Sequence, residues 1–152
     1  MAPLKRPRSR WTDASGAELI EFALVFPLLL FVVLGIIDFG FLFQRYEVVT
    51  NAAREGARVA VLPGYSDGDV QTRVDQYLTA GGLTGPATTN VGAPQLLPVG
   101  GLCITLRPVT VAYPYTYSFV GGIAGYFGGS FADSTLRATV AMRNELPAGS
   151  CP

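Results

Sequence analysis

The chain opens on polar and basic residues and then turns apolar almost without interruption. Between residues 22 and 37 there is no charged side chain, and beyond Asp38 the run Phe39-Gly40-Phe41-Leu42-Phe43 carries the apolar stretch further. As a helix, residues 22–43 would span about 33 Å at 1.5 Å per residue, enough to cross a hydrocarbon core. The pattern then changes. Tyr46, Val49, Ala53, Gly56, Ala57 and Ala60 recur at spacings of three and four, which predicts that the helix runs on beyond the membrane with one face of small residues. Arg45, Glu55 and Arg58 fall among its more solvated positions. Backbones can approach closely along such a face, which can pack on the chain's own domain or on a neighbouring subunit. Pro63-Gly64 ends the helix.

A second, shorter helix is predicted after it. Ser66 is a candidate N-cap with Asp67 and Asp69 in the first turn; Val70, Val74, Tyr77 and Leu78 form one apolar face, and Gly81-Gly82 stops the element. Residues 81–101 are rich in Gly, Pro and Thr and predict a loop, with one short strand around residues 88–91. Alternation over residues 104–107 and 109–113 predicts strands, with Pro108 marking an edge or a bulge between them. Tyr113, Tyr115, Tyr117 and Phe119 continue the period of two as an aromatic stripe, which suits the core face of a small sheet better than a ligand-binding surface. Residues 120–132 mix glycines with Ile123, Tyr126, Phe127 and Phe131, a flexible apolar loop or short helix that could face a membrane or a partner. Residues 136–142 predict a last strand. The fold class is α+β: a long N-terminal transmembrane helix continuing into a small exported domain with a short antiparallel sheet.

Charge sets the orientation. Four of the eleven basic residues, Lys5, Arg6, Arg8 and Arg10, precede residue 16, so the N-terminus should stay cytoplasmic and the remainder should be exported. Without residues 1–16 the chain keeps seven basic and ten acidic residues, a net of −3. No basic face suggests nucleic acid. A discarded signal peptide would have a shorter apolar core and a small-x-small cleavage site. The flank Gln44-Arg45-Tyr46-Glu47 offers no such site. The two cysteines, Cys103 and Cys151, both follow the apolar segment. On an oxidising side they would form one disulfide, worth about 4 kcal/mol at most in the chain-entropy model; two free thiols are the alternative.

Two acids interrupt the apolar sequence, and each would cost about 2.5–3.5 kcal/mol at the centre of a bilayer. Asp38 lies near the exported end, can reach the interface and is read as structural. Its continuation Asp38-Phe39-Gly40 spells a kinase triplet by chance, since no glycine-rich or catalytic loop accompanies it. Glu21 lies near the cytoplasmic end, where it is either a carboxylate at headgroup level or a partner inside an assembly, because intramembrane acids usually pair. An amine created at Ala17 by cleavage after Gly16 would supply the opposite charge. Pro27 removes one helical hydrogen bond and can bend the segment.

Gly16, four residues, then Glu21-Phe22, behind a basic leader and ahead of a long apolar run, resembles the type IVb prepilin site, with Phe22 where many such sites have tyrosine. Ala52-Ala53-Arg54-Glu55-Gly56-Ala57-Arg58 and Ala138-Thr139-Val140-Ala141-Met142-Arg143-Asn144-Glu145 narrow the likeness: the chain resembles the TadE-like family, pseudopilin-like proteins of the tight-adherence (Flp) pilus system. The resemblance is strongest over residues 16–62. It implies a single-pass bacterial inner-membrane protein with a pilin-like fold and a periplasmic or extracellular head. It also implies cleavage between Gly16 and Ala17 by a prepilin peptidase, Glu21 and Phe22 in assembly and register, and other pilin or pseudopilin subunits as partners. The corresponding division is a leader at 1–16, a transmembrane and stalk helix at 17–62, and a head at 63–152.

Catalytic chemistry finds little support. The sequence contains no histidine to serve a nucleophile, no phosphate loop and no calcium loop around Asp67, Asp69 and Asp75. No cofactor or metal is expected. An uncleaved, membrane-tethered periplasmic binding module, recognising a ligand through the aromatic stripe at residues 113–119, is the alternative reading. A secreted enzyme is disfavoured.

Overall fold

A computed structural model of the chain describes residues 14–100, 102–126, 128–129, 133–144 and 149–150. One helix dominates: α1, Ala14–Ala60, 47 residues long, extends about 70 Å and continues through Pro27. It is one helix in two environments. Residues 16–33 are exposed throughout, and Leu24, Leu28 and Ile36 keep 76%, 66% and 67% of their surface. Past residue 48 the helix becomes a core element, with Val49, Ala52, Ala53 and Ala57 fully buried.

The head is built on that second half. α2, Asp67–Ala80, starts as its sequence requires, with Ser66 closing a capping box with Asp69. At its far end Gly82 takes φ +78°, the left-handed conformation that glycine adopts without penalty. Val70, Val74 and Leu78 turn inward while Tyr77 stays on the surface. The sheet follows. β1 (Thr88–Val91), β2 (Gln95–Val99), β4 (Ser134–Arg143) and β5 (Gly149–Ser150) all pair antiparallel with β3, Leu102–Tyr115. β1 and β2 follow one another along one edge of β3, and β5 and β4 along the other. A seven-residue helix, α3 (Val120–Tyr126), links β3 to β4.

Pro108 sits inside β3, and the strand accommodates it with a register jog. Val91 pairs with Val109 and Gln95 with Leu106, so residues 92–94 stand against only 107 and 108. The Gly92 N–H donates to the Pro108 carbonyl at 2.8 Å, which places the proline's missing donor on the bulged side, where the ladder is already broken. Two strands predicted separately are therefore one. β2, with every residue exposed, falls where the composition predicts loop: two prolines and neighbouring glycines mask a strand held only by its pairing with β3.

The alternation expected of β3 holds. Val109, Val111, Tyr113 and Tyr115 are buried, as are their neighbours Leu136 and Ala138 on β4, and all face α1 and α2. On the opposite face Thr110 and Thr139 join by a 2.9 Å hydroxyl contact. Each fully buried valine or leucine contributes about 1.5–3 kcal/mol. The small face of α1 is used inside the chain, with two changes from the periodicity: Ala52 joins it and Tyr46, 44% exposed, leaves it. Gly56 marks the closest approach, since a Cβ there would lie 2.6 Å from Val74 Cγ2 and 3.3 Å from Val109 Cγ1.

Ion pairs fasten the rim. Glu55 accepts from Arg73 and Arg58 at 2.7 and 2.9 Å, and these bonds, Arg73's first, hold its carboxyl below the ordinary value of 4.5. Arg107 on β3 pairs with Asp67 and also reaches the Ala60 carbonyl, where a cation suits the end of α1.

Gly56→Val should destabilise the head by about 1–3 kcal/mol, the usual cost of overpacking a tight contact. Thermal unfolding of the full chain in detergent, followed by near-UV circular dichroism, reads this directly; an unchanged midpoint would contradict the close approach of α1 to α2 and β3.

Candidate functional site

The predicted site residues fall in two places. Gly16, Ala17, Glu21 and Phe22 lie on the exposed end of α1. A Cβ on Gly16 would meet no atom within 4 Å, and the ring of Phe22 lies tilted against that of Phe26 one turn on, at 5.4 Å between centroids. Ala17 and Glu21, four residues apart, share one face of the helix. Nothing from the head reaches them among the described residues. Cys103 lies in the head at the start of β3, 7% exposed and disulfide-bonded. Gly149 pairs with Cys103 across the ladder, which brings the chain just before Cys151 alongside it; Cys151 itself lies outside the described residues.

Asp38 forms the second place. It is fully buried, although Ile37 and Phe39 on either side of it are 40% and 55% exposed. Its carboxylate receives backbone N–H groups from the loop that enters α3. Ser118 donates to Oδ1 at 3.2 Å, Phe119 to both oxygens at 3.3 and 3.0 Å, and Val120 to Oδ2 at 2.7 Å. The same turn of α1 is gripped again from β3, where the Tyr115 hydroxyl donates to the Asp38 carbonyl at 3.1 Å. Burial, then the Asp38 charge, push the Tyr115 phenol above its ordinary value of 10.0 and keep it a donor. Arg45, two turns further along α1, lies over the Tyr115 ring at 5.3 Å, and Tyr117 meets that ring edge-on at 5.2 Å.

Asp38 is thus structural, as expected, but it does not reach for water: the head brings donors to it. Sequence reasoning missed these partners because they lie about 80 positions away and are backbone amides that any residue supplies. The visible signal was a lone acid in apolar sequence. Of the aromatic stripe, Tyr113 and Tyr115 are core residues at 7% and 1% exposure, while Phe119 keeps 40%. Tyr113 also accepts the Gly85 N–H at 3.2 Å. Among the described residues no group of three or more His, Cys, Asp or Glu side chains could hold a metal ion.

Comparison with known families agrees with the helix. The family model described as TadE-like protein matches residues 16–58, which covers α1 from the predicted cleavage glycine to its last turn and leaves the head unmatched. No curated protein and no solved structure matches the chain. Among the described residues one helix, spanning Gly16–Ala60, is long and apolar enough to cross a membrane. Over α1, then, the chain is similar to the TadE-like family, and the matched helix is of a length and composition to serve as a membrane anchor.

Asp38→Ala should leave three amides without an acceptor in an apolar setting. The cost should exceed the about 1.5–3 kcal/mol of a single hydrogen bond to a charged group. Asp38→Asn, which keeps one acceptor oxygen, should lose less. Thermal midpoints together with the rate of proteolysis within residues 116–129 measure both; equal protection in wild type and Asp38→Ala would refute the latch.

Proposed function

We propose that this chain is a TadE-like pseudopilin, a structural component of tight-adherence (Flp, type IVb) pilus biogenesis. It is anchored in the bacterial inner membrane with residues 1–16 in the cytoplasm and the head, from residue 63, outside. A prepilin peptidase removes the leader between Gly16 and Ala17. Glu21 then meets the new Ala17 amine of a neighbouring pilin or pseudopilin, and Phe22 packs at the same level. Cys103 and Cys151 close the tail onto β3 as a disulfide. The role is assembly rather than catalysis, in keeping with the generally structural character of the family.

One observation carries this reading. The first half of α1 is apolar and uncovered by its own head, whereas the second half is built into it. A helix so divided needs lipid or sister helices along residues 16–37, and an acid at its tip needs a cation. Cleavage after Gly16 would place a cation on the same helix face of an adjacent copy. The tethered binding module has less support, because Tyr113 and Tyr115 are buried and cannot present a ligand surface.

N-terminal sequencing of the membrane-extracted protein should begin at Ala17, and Gly16→Val should leave the unprocessed chain; a mature protein beginning at Met1 or Ala2 in cells that make the peptidase would overturn the cleavage. Glu21→Ala should insert and be processed normally yet reduce pilus number. Undiminished piliation in that variant would remove the assembly role from Glu21.

A further inference from the structure

The hydrogen bonds on Asp38 fix more than the head's orientation. Exposed apolar side chains do not stop at Asp38: Phe39, Phe41 and Phe43, on its exported side, keep 55%, 44% and 65% of their surface, and Arg45 is the first charge after it. A hydrocarbon core of about 30 Å takes about 20 helical residues. Counted from Phe22 it ends near Phe41, with Asp38 about 4–5 Å inside the boundary. The amides of Ser118, Phe119 and Val120 lie within 3.3 Å of the Asp38 carboxylate. This end of the head therefore shares its depth.

The chemistry of the segment suits that depth. Residues 117–126 carry no charged side chain. Phe119 is 40% exposed, next to the buried Val120, and Ile123 and Ala124 are partly exposed on α3. The next described acid along the chain, Asp133, is held by Thr116 Oγ1 at 3.0 Å, on the β3–β4 side of the segment, where headgroups would meet it. We infer that Phe119 and α3 form a membrane-inserted wedge: the head docks on the outer surface of the lipid bilayer through this segment, at a depth set by Asp38. The inference rests on the membrane-anchor reading of α1. It adds a second lipid contact, one that makes the head a fixed rather than a swivelling appendage of its anchor. The partner is the acyl-headgroup boundary, because the segment adjoins the apolar band of α1 at Asp38 and carries no charged side chain of its own.

Tryptophan quenching in the full chain tests this. Trp11, the sole native tryptophan, is first replaced by Phe, and single tryptophans are placed by Phe119→Trp, Ile123→Trp, Phe31→Trp and Leu96→Trp. The protein is reconstituted in phosphatidylethanolamine–phosphatidylglycerol vesicles doped with phosphatidylcholine brominated either near the carbonyl end or near the middle of its acyl chains. The wedge requires blue-shifted emission and loss of intensity with the shallow label at 119 and 123, loss with the deep label at 31, and neither at 96 on β2. Quenching at 31 with water-like emission at 119 and 123 would overturn the wedge and leave the anchor standing. Blue-shifted emission at 119 without quenching by either label would mean that protein covers the surface, which also overturns the lipid assignment. No quenching at 31 would overturn the anchor and the wedge together. Quenching at 96 as well would show the head lying flat on the bilayer, contrary to docking through α3.

Discussion

A carboxylate buried among apolar side chains must be given hydrogen-bond donors or carry a heavy desolvation cost. Asp38 receives three backbone amides from the segment that opens α3, and its own carbonyl receives the Tyr115 hydroxyl. The exchange is mutual. The first amides of a short helix have no partner inside it, so the aspartate satisfies them while they solvate it. Because the acceptor belongs to α1 and the donors to the segment that opens α3, this one residue ties together parts of the chain about 80 positions apart. Tyr115 and Arg45 stack along the same line of α1, so the tie extends for two helical turns.

The rest of the head follows from a second constraint, the narrow face of α1. Val49, Ala52, Ala53, Gly56 and Ala57 leave room for α2 and the sheet to lie against the helix backbone. Larger residues would push the layers apart and open voids that a domain this small could not offset. The small-residue face that could have served contacts between subunits is thus occupied within the chain. The surface of α1 that remains uncovered is its first half, where the side chains are large and apolar.

A continuous helix shared by anchor and head has a mechanical consequence. With Asp38, Gly56 and Arg107 each clamping a different level of the head to α1, no hinge separates the domain from the helix that carries it. Any partner that grips the exposed apolar half of α1 thereby positions the head, and any load on the head is passed to that half. Such coupling suits a protein that works in an assembly.

Much of this is legible in the sequence itself. The length and unbroken hydropathy of residues 22–43, the three-and-four spacing of small residues from Val49 to Ala60, the Ser66–Asp69 cap and the period of two through Tyr115 are local patterns, and each became the element it predicted. Local patterns carry such information because helices and strands repeat along the chain itself. What they could not supply was partnership. β2 exists only because β3 lies beside it, Pro108 is tolerated only because two strands meet at its missing donor, and Gly56 is needed only where Val74 and Val109 arrive. Asp38 is the sharpest case: as a letter it is an acid in the wrong solvent, and the amides that make it a fastening belong to backbone some 80 residues away, whose position depends on long-range packing and leaves no mark on the side chains that code for it.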